Sequence, residues 1–74
     1  MRNVGDLEAA IVSYKHAISL QPDYAEPYLN MGYALSNKGD LDEAIDSFKH
    51  AIRIKPDYAE AYLNMGNVLR SKGD

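Results

Sequence analysis

The side chains best suited to bond-making chemistry in this 74-residue chain are two Ser–His pairs, Ser13 with His16 and Ser47 with His50. A spacing of three puts each pair on one face of any helix that carries it. A serine hydroxyl beside an imidazole base begins a nucleophilic site, but it also needs an orienting carboxylate, oxyanion donors and a concave pocket. Neither pair has an acid at a suitable spacing. His16 and His50 fall with Lys15, Lys49, Asp46 and Arg53 on a polar stripe, the setting of a solvated imidazole rather than a base or ligand. No catalytic residue, metal site or cofactor is expected. Cysteine is absent, which removes thiolate ligands and disulfides and leaves the redox compartment open.

The remaining candidates are suited to recognition. Glu26, Leu29, Asn30, Tyr33, Ser36 and Asn37 share one helical face, and Glu60, Leu63, Asn64, Asn67, Arg70 and Ser71 share another. A primary amide both donates and accepts, as a peptide group does, so Asn30 and Asn64 can pair with main chain of any sequence. Tyr33 is the aromatic residue placed with them. Tyr28 and Tyr62 have the spacing of core tyrosines.

What positions these residues is a repeat of 34. Pro22-Asp23-Tyr24-Ala25-Glu26 returns as Pro56-Asp57-Tyr58-Ala59-Glu60, and Tyr28-Leu29-Asn30-Met31-Gly32 returns as Tyr62-Leu63-Asn64-Met65-Gly66. Lys15-His16-Ala17-Ile18 returns as Lys49-His50-Ala51-Ile52, and Gly-Asp occurs at 5–6, 39–40 and 73–74. A period of this length marks a supersecondary unit that buries its apolar face only by stacking on its neighbours.

Leu41, Ala44, Ile45, Phe48, Ala51 and Ile52 have amphipathic helical spacing, and 7–20 is the matching segment. Tyr28, Met31, Gly32 and Leu35 form one face of the alternate helix, repeated as Tyr62, Met65, Gly66 and Leu69. Gly39 suits a left-handed helix end, and Asp40 with Glu43 has the capping-box form. Asp23 with Glu26 and Asp57 with Glu60 offer similar starts after Pro22 and Pro56. Pro27, whose counterpart is Ala61, fits only in a first turn. The pattern predicts helices at roughly 7–20, 24–38, 41–54 and 58–72, and no strand. A helix glycine costs about 1 kcal/mol relative to alanine, so Gly32 and Gly66 predict close approach of a partner helix.

These residues resemble the tetratricopeptide repeat family over essentially the whole chain. The motif reads Tyr28-x2-Met31-Gly32-x2-Leu35, then Ala44-x3-Phe48 and Pro56, with Met and Leu for the commoner Leu and Tyr. The resemblance implies an all-α, right-handed α-solenoid of antiparallel helix hairpins, built of an A and a B helix per repeat. In that phase the chain runs B-A-B-A as one short array, 1–74: helix B of a partial repeat at 7–22, a complete repeat at 23–56, and helix A of another at 57–74. In family members the second face of the A helices lines a groove for an extended peptide. This assigns Leu29, Asn30, Tyr33, Leu63, Asn64 and Asn67 to peptide binding, similar to the asparagine ladder in the repeats of O-linked N-acetylglucosamine transferase. Helices ~8–10 Å apart would set the two amides at about every third residue of a strand rising ~3.3 Å per residue. The family's carboxylate clamp for chaperone tails is incomplete, because Leu29 and Leu63 stand where its lysine would be and Glu60 adds an acid.

Both ends of the array are unmatched in that phase, which predicts either a fragment of a longer array or association of chains. The expected self-association faces are Tyr62, Met65 and Leu69 on the last helix and Leu7, Ile11 and Tyr14 on the first, joined head to tail into a swapped dimer, ring or filament. Other proteins or peptides are the expected partners. A net charge of -3 with interleaved signs offers no basic patch for nucleic acid. No apolar run approaches the ~20 residues a membrane helix needs, Ala9–Val12 being the extreme. Residues 1–6 lack the apolar core of a signal peptide, so the cytoplasm is the default expectation.

Overall fold

The computed structural model describes residues 3–73. Four helices follow one another: α1 Val4–Leu20, α2 Ala25–Lys38, α3 Leu41–Ile54 and α4 Ala59–Gly73. They form an all-α solenoid of helix hairpins, with no strand among the described residues. Asp74, the second half of the third Gly-Asp pair, lies outside the described residues. None of these helices is long and apolar enough to cross a membrane.

The two kinds of connection have different chemistry. Between α2 and α3 the chain turns on Gly39, whose φ of 98° is the only positive φ among the described residues. Its N–H donates to the Ser36 carbonyl at 3.1 Å and that of Asp40 to the Leu35 carbonyl at 2.9 Å, a Schellman closure that uses two otherwise orphaned carbonyls. The connections from α1 to α2 and from α3 to α4 are β-turns instead. The Tyr24 N–H donates to the Gln21 carbonyl (3.1 Å) across Pro22-Asp23, and the Tyr58 N–H to the Lys55 carbonyl (3.0 Å) across Pro56-Asp57. Proline at the second position presets the φ of such a turn.

These turns correct the expected capping boxes. Tyr24 is the N-cap of α2, with no side-chain cap, and Asp23 is spent in the turn. Asp40 does occupy the N-cap of α3 but makes no cap bond with its side chain, because its carboxylate is drawn 3.0 Å from the Lys38 ammonium. The first helix also starts earlier than expected. Asn3 caps it, accepting from the Asp6 N–H at 2.9 Å, so helix begins at Val4 and Gly5 lies inside the first turn rather than at a helix end. Pro27 falls in the first turn of α2, as its missing donor requires.

The core runs through all four helices. Leu7 and Ile11 of α1, Leu29, Ala34 and Leu35 of α2, Ala44, Ile45, Phe48 and Ala51 of α3, and Ala61 and Val68 of α4 form one buried cluster. Its centre is Phe48, fully buried, whose ring fills the space above Gly32. A Cβ on Gly32 would stand 2.6–2.8 Å from three carbons of that ring, so close approach explains this helix glycine. Gly66 has nothing within 4 Å of the corresponding point, and here the expectation of a partner helix fails within the chain. Ser47, the buried polar side chain of α3, donates its hydroxyl to the Tyr28 carbonyl at 2.7 Å. Lys38 ties the hairpins together from outside, 3.3 Å from Glu8 and 3.0 Å from Asp40. Lys72 repeats the first of these pairs one period on, 2.6 Å from Asp42.

Candidate functional site

Two adjoining concavities share a single side chain, Tyr33. The first, about 290 Å³, is lined by Tyr14, Asn30, Tyr33, Ala34 and Asn37. The second, about 210 Å³, is lined by Tyr33, Ser36, Asn64, Asn67, Val68 and Ser71, with Phe48 behind them. Tyr33 can stand between them because its ring, half exposed at 49%, projects from α2 toward α4, the next helix of the same type. The lining of the two concavities is thus amides, hydroxyls and the phenols of Tyr14 and Tyr33, with Ala34, Phe48 and Val68 as apolar members and without an acidic or basic side chain.

Four of the six residues expected in a peptide groove lie here: Asn30, Tyr33, Asn64 and Asn67. The two asparagines of equal phase are in different concavities, one on each side of Tyr33. The Asn64 amide nitrogen donates to the Glu60 carbonyl one turn back at 2.9 Å, which holds the side chain in place and leaves its oxygen and second N–H for another partner. The two leucines need correcting. Leu29 is 3% exposed and part of the core, because α2 is packed on both sides, by α1 and by α3. Leu63 is 66% exposed, but it lies outside the lining of either concavity.

Of the residues assigned to self-association, Leu7 and Ile11 are only 3% and 6% exposed, already buried within the chain. The helix that covers them is α2, on which α1 packs, and one period later Ile45 is buried in the same cluster with Leu41 packed against it. Tyr14 is half-buried, whereas Tyr62 and Leu69 are about half exposed at 51% and 48%. Met65 is half-buried against the core.

The Ser–His pairs are not brought together as reacting groups. The Ser47 hydroxyl is committed to the Tyr28 carbonyl. The His50 Nδ1 lies 3.0 Å from the Asp46 carbonyl, and its ring stacks on Tyr28 with centroids 5.1 Å apart and planes 8° from parallel. In the first pair, the His16 carbonyl accepts from Ser19, and both Ser13 and His16 are exposed. No group of three His, Cys, Asp or Glu residues able to hold a metal is present among the described residues.

A feature missed in the sequence is the contact between the two Pro-Asp-Tyr turns. Tyr24 donates its hydroxyl to Glu26 at 2.7 Å, and this bond, more than the negative charge itself, holds the phenol above its usual pKa. Tyr58 is raised by partial burial and then by Glu26 and Glu60, and Lys55 sits 4.6 Å over its ring. The signal was present as Tyr24 and Tyr58 at equal phase, but it needed the stacking to be read.

Compared with known protein families, the chain matches a model described as TPR repeat twice, over residues 3–39 and 34–73. The first match takes in α1 and α2 and the second α3 and α4. A search of curated proteins gives no significant match.

Proposed function

The chain belongs to the tetratricopeptide repeat family, whose repeats generally mediate protein–protein interaction or scaffolding, and we propose that it binds an extended peptide segment along the face of α2 and α4. The observation that carries this reading is the pair of concavities meeting at Tyr33, lined by amides and hydroxyls. Uncharged amides complement the peptide group itself, so they favour main-chain pairing over capture of a charged tail. Tyr33 supplies rigid apolar area at the junction with a hydroxyl at its end. Asn30, Asn64 and Asn67 hold the main chain, Tyr33 separates two side-chain positions, and Leu29 and Leu63 play no part in the groove.

The test is nuclear magnetic resonance of the ¹⁵N-labelled chain against dodecamer peptides selected on it from a displayed random library. Shifts should gather at Asn30, Tyr33, Asn37, Asn64, Asn67 and Ser71. Asn64→Ala and Tyr33→Ala should each weaken binding at least several-fold. Shifts gathering instead around Lys15, Glu43 and His50, on the groove between α1 and α3, would reject this face as the binding surface.

A further inference from the structure

The 34-residue period shows which helix faces in this chain are covered. α4 is the counterpart of α2, and α1 of α3. On α2, Ala25, Leu29, Gly32 and Leu35 are buried, whereas their counterparts Ala59, Leu63, Gly66 and Leu69 on α4 are exposed. The difference is a helix: α2 lies between α1 and α3, while α4 packs mainly on α3. On α3, Ala44, Ser47, Phe48 and Ala51 are all buried, whereas Ala10, Tyr14 and Ala17 of α1 are half-buried and Ser13 is exposed.

Three contacts join α3 to α2, and both halves of each recur on these open faces. The Ser47 hydroxyl donates to the Tyr28 carbonyl; the counterparts are Ser13 and Tyr62. The Phe48 ring fills the space over Gly32; the counterparts are Tyr14 and Gly66, the latter with open space where the ring would lie. The His50 ring stacks on Tyr28; the counterparts are His16 and Tyr62, both exposed. Charge agrees as well. Lys38 pairs with Asp40, and their counterparts Lys72 and Asp6 lie in the last turn of α4 and the first turn of α1.

We propose that α1 of a second copy docks on α4 as α3 docks on α2, joining two copies head to tail. The second copy's Tyr14 fills the space over Gly66, its Ser13 donates to the Tyr62 carbonyl, and its His16 stacks on the Tyr62 ring. The hydroxyl that Tyr14 carries and Phe48 lacks has a place to go, because the Phe48 position backs onto the polar concavity of Tyr33 and Asn64. The extra first turn of α1, Val4–Asp6, runs out over Gly73, so there the joint departs from the α2–α3 turn. The contact uses different surfaces on the two copies and therefore leaves one of each open, so growth continues unless a ring closes. The joint adjoins the groove at Tyr14, which also lines the first concavity, while Asn30, Tyr33, Asn64 and Asn67 take no part in it.

Weight-average mass by light scattering, from about 10 μM to about 1 mM, tests this in the range where weak contacts saturate. The unaltered chain should rise past the dimer mass. Gly66→Leu places its side chain in open space within its own chain, so it should remain helical by circular dichroism and stay monomeric. Ser13→Glu, on an exposed position of the opposite face, should do the same. Mixed in equal amounts, the two variants retain one intact face each and should form a 1:1 dimer and nothing larger. An unaltered chain that stays monomeric throughout, a Gly66→Leu chain that assembles like the parent, or a mixture no heavier than its components would overturn the proposal. Dimerisation of Ser13→Glu alone would also overturn it, since that would indicate a symmetric contact between two α4 helices.

Discussion

Gly32 and Gly66 end the same pentapeptide, Tyr-Leu-Asn-Met-Gly, at the same distance from the start of equivalent helices, so alanine at either site changes local propensity equally. That change favours the helix by about 1 kcal/mol. At Gly66 nothing opposes it, because the new methyl meets no atom within 4 Å. At Gly32 the methyl would lie 2.6–2.8 Å from the ring of Phe48, which is fully buried and has no room to retreat. Overpacking of a well-filled core costs typically ~1–3 kcal/mol, and a clash this short, against an enclosed ring, belongs at the upper end. The net effect at Gly32 is then a loss of about 1–2 kcal/mol. In a domain of this size 1 kcal/mol moves Tm by roughly 4–8 °C. Thermal unfolding followed by circular dichroism at low micromolar concentration, where chains are apart, should show Gly66→Ala raising Tm by about 4–8 °C and Gly32→Ala lowering it by about 5–15 °C. If both substitutions raised Tm equally, the close approach of Phe48 would have no energetic weight and the account of the α2–α3 interface given above would be wrong.

The same logic applies to the paired serines: Ser47→Ala removes a buried hydrogen bond and should lower stability by about 0.5–1 kcal/mol, whereas Ser13→Ala should leave it unchanged or slightly raised, both read from urea midpoints. Alkali should destabilise the chain. Lys38 is raised above its usual pKa by its bonds to Asp40 and Glu8, Tyr24 by its bond to Glu26, and Tyr58 by burial. A folded-state pKa above the unfolded value means that the contribution is complete below the ordinary values, 10.0 for tyrosine and 10.5 for lysine, and is lost as pH rises through the raised ones. The urea midpoint should therefore be level up to about pH 9 and fall beyond it; a midpoint that holds through pH 12 would contradict this. Tyr33→Ala should change stability by no more than about 0.5 kcal/mol, as befits an exposed position, while weakening binding of a selected peptide.

The period made most of the fold legible, since each helix had a second copy against which its punctuation was checked. The ends of α2, α3 and α4 fall within a residue of expectation for that reason. The start of α1 did not, because matching Gly5-Asp6 to Gly39-Asp40 assumed that equal residues turn equally, whereas Asn3 with Asp6 three residues later carried the true cap. Asp23 and Asp57 were misread because a Pro-Asp pair serves a turn as well as a cap, and the hydrogen bond across Gln21–Tyr24 decides between them. Helical spacing identifies faces but not the neighbour each face meets. Leu29 looked like a groove residue until α2 was found packed on both sides, and Leu7 and Ile11 looked free until they were found to face α2. The amide-lined face was legible as Asn30 and Asn64 in equal phase, but the role of Tyr33 as the wall between two concavities required the helices to be stacked.

Each helix touches chiefly the one before and the one after it in sequence, with only a slight contact between α2 and α4. A chain built this way has no distant partner to lock its ends, so it opens from the outside inward. Backbone amides of α4 and the first turns of α1 should exchange with deuterium soonest, and those flanking Phe48 and Gly32 last. These openings are minor excursions below the main transition, which a chain this short makes as one unit, so they show in the order of amide exchange and not in the midpoint.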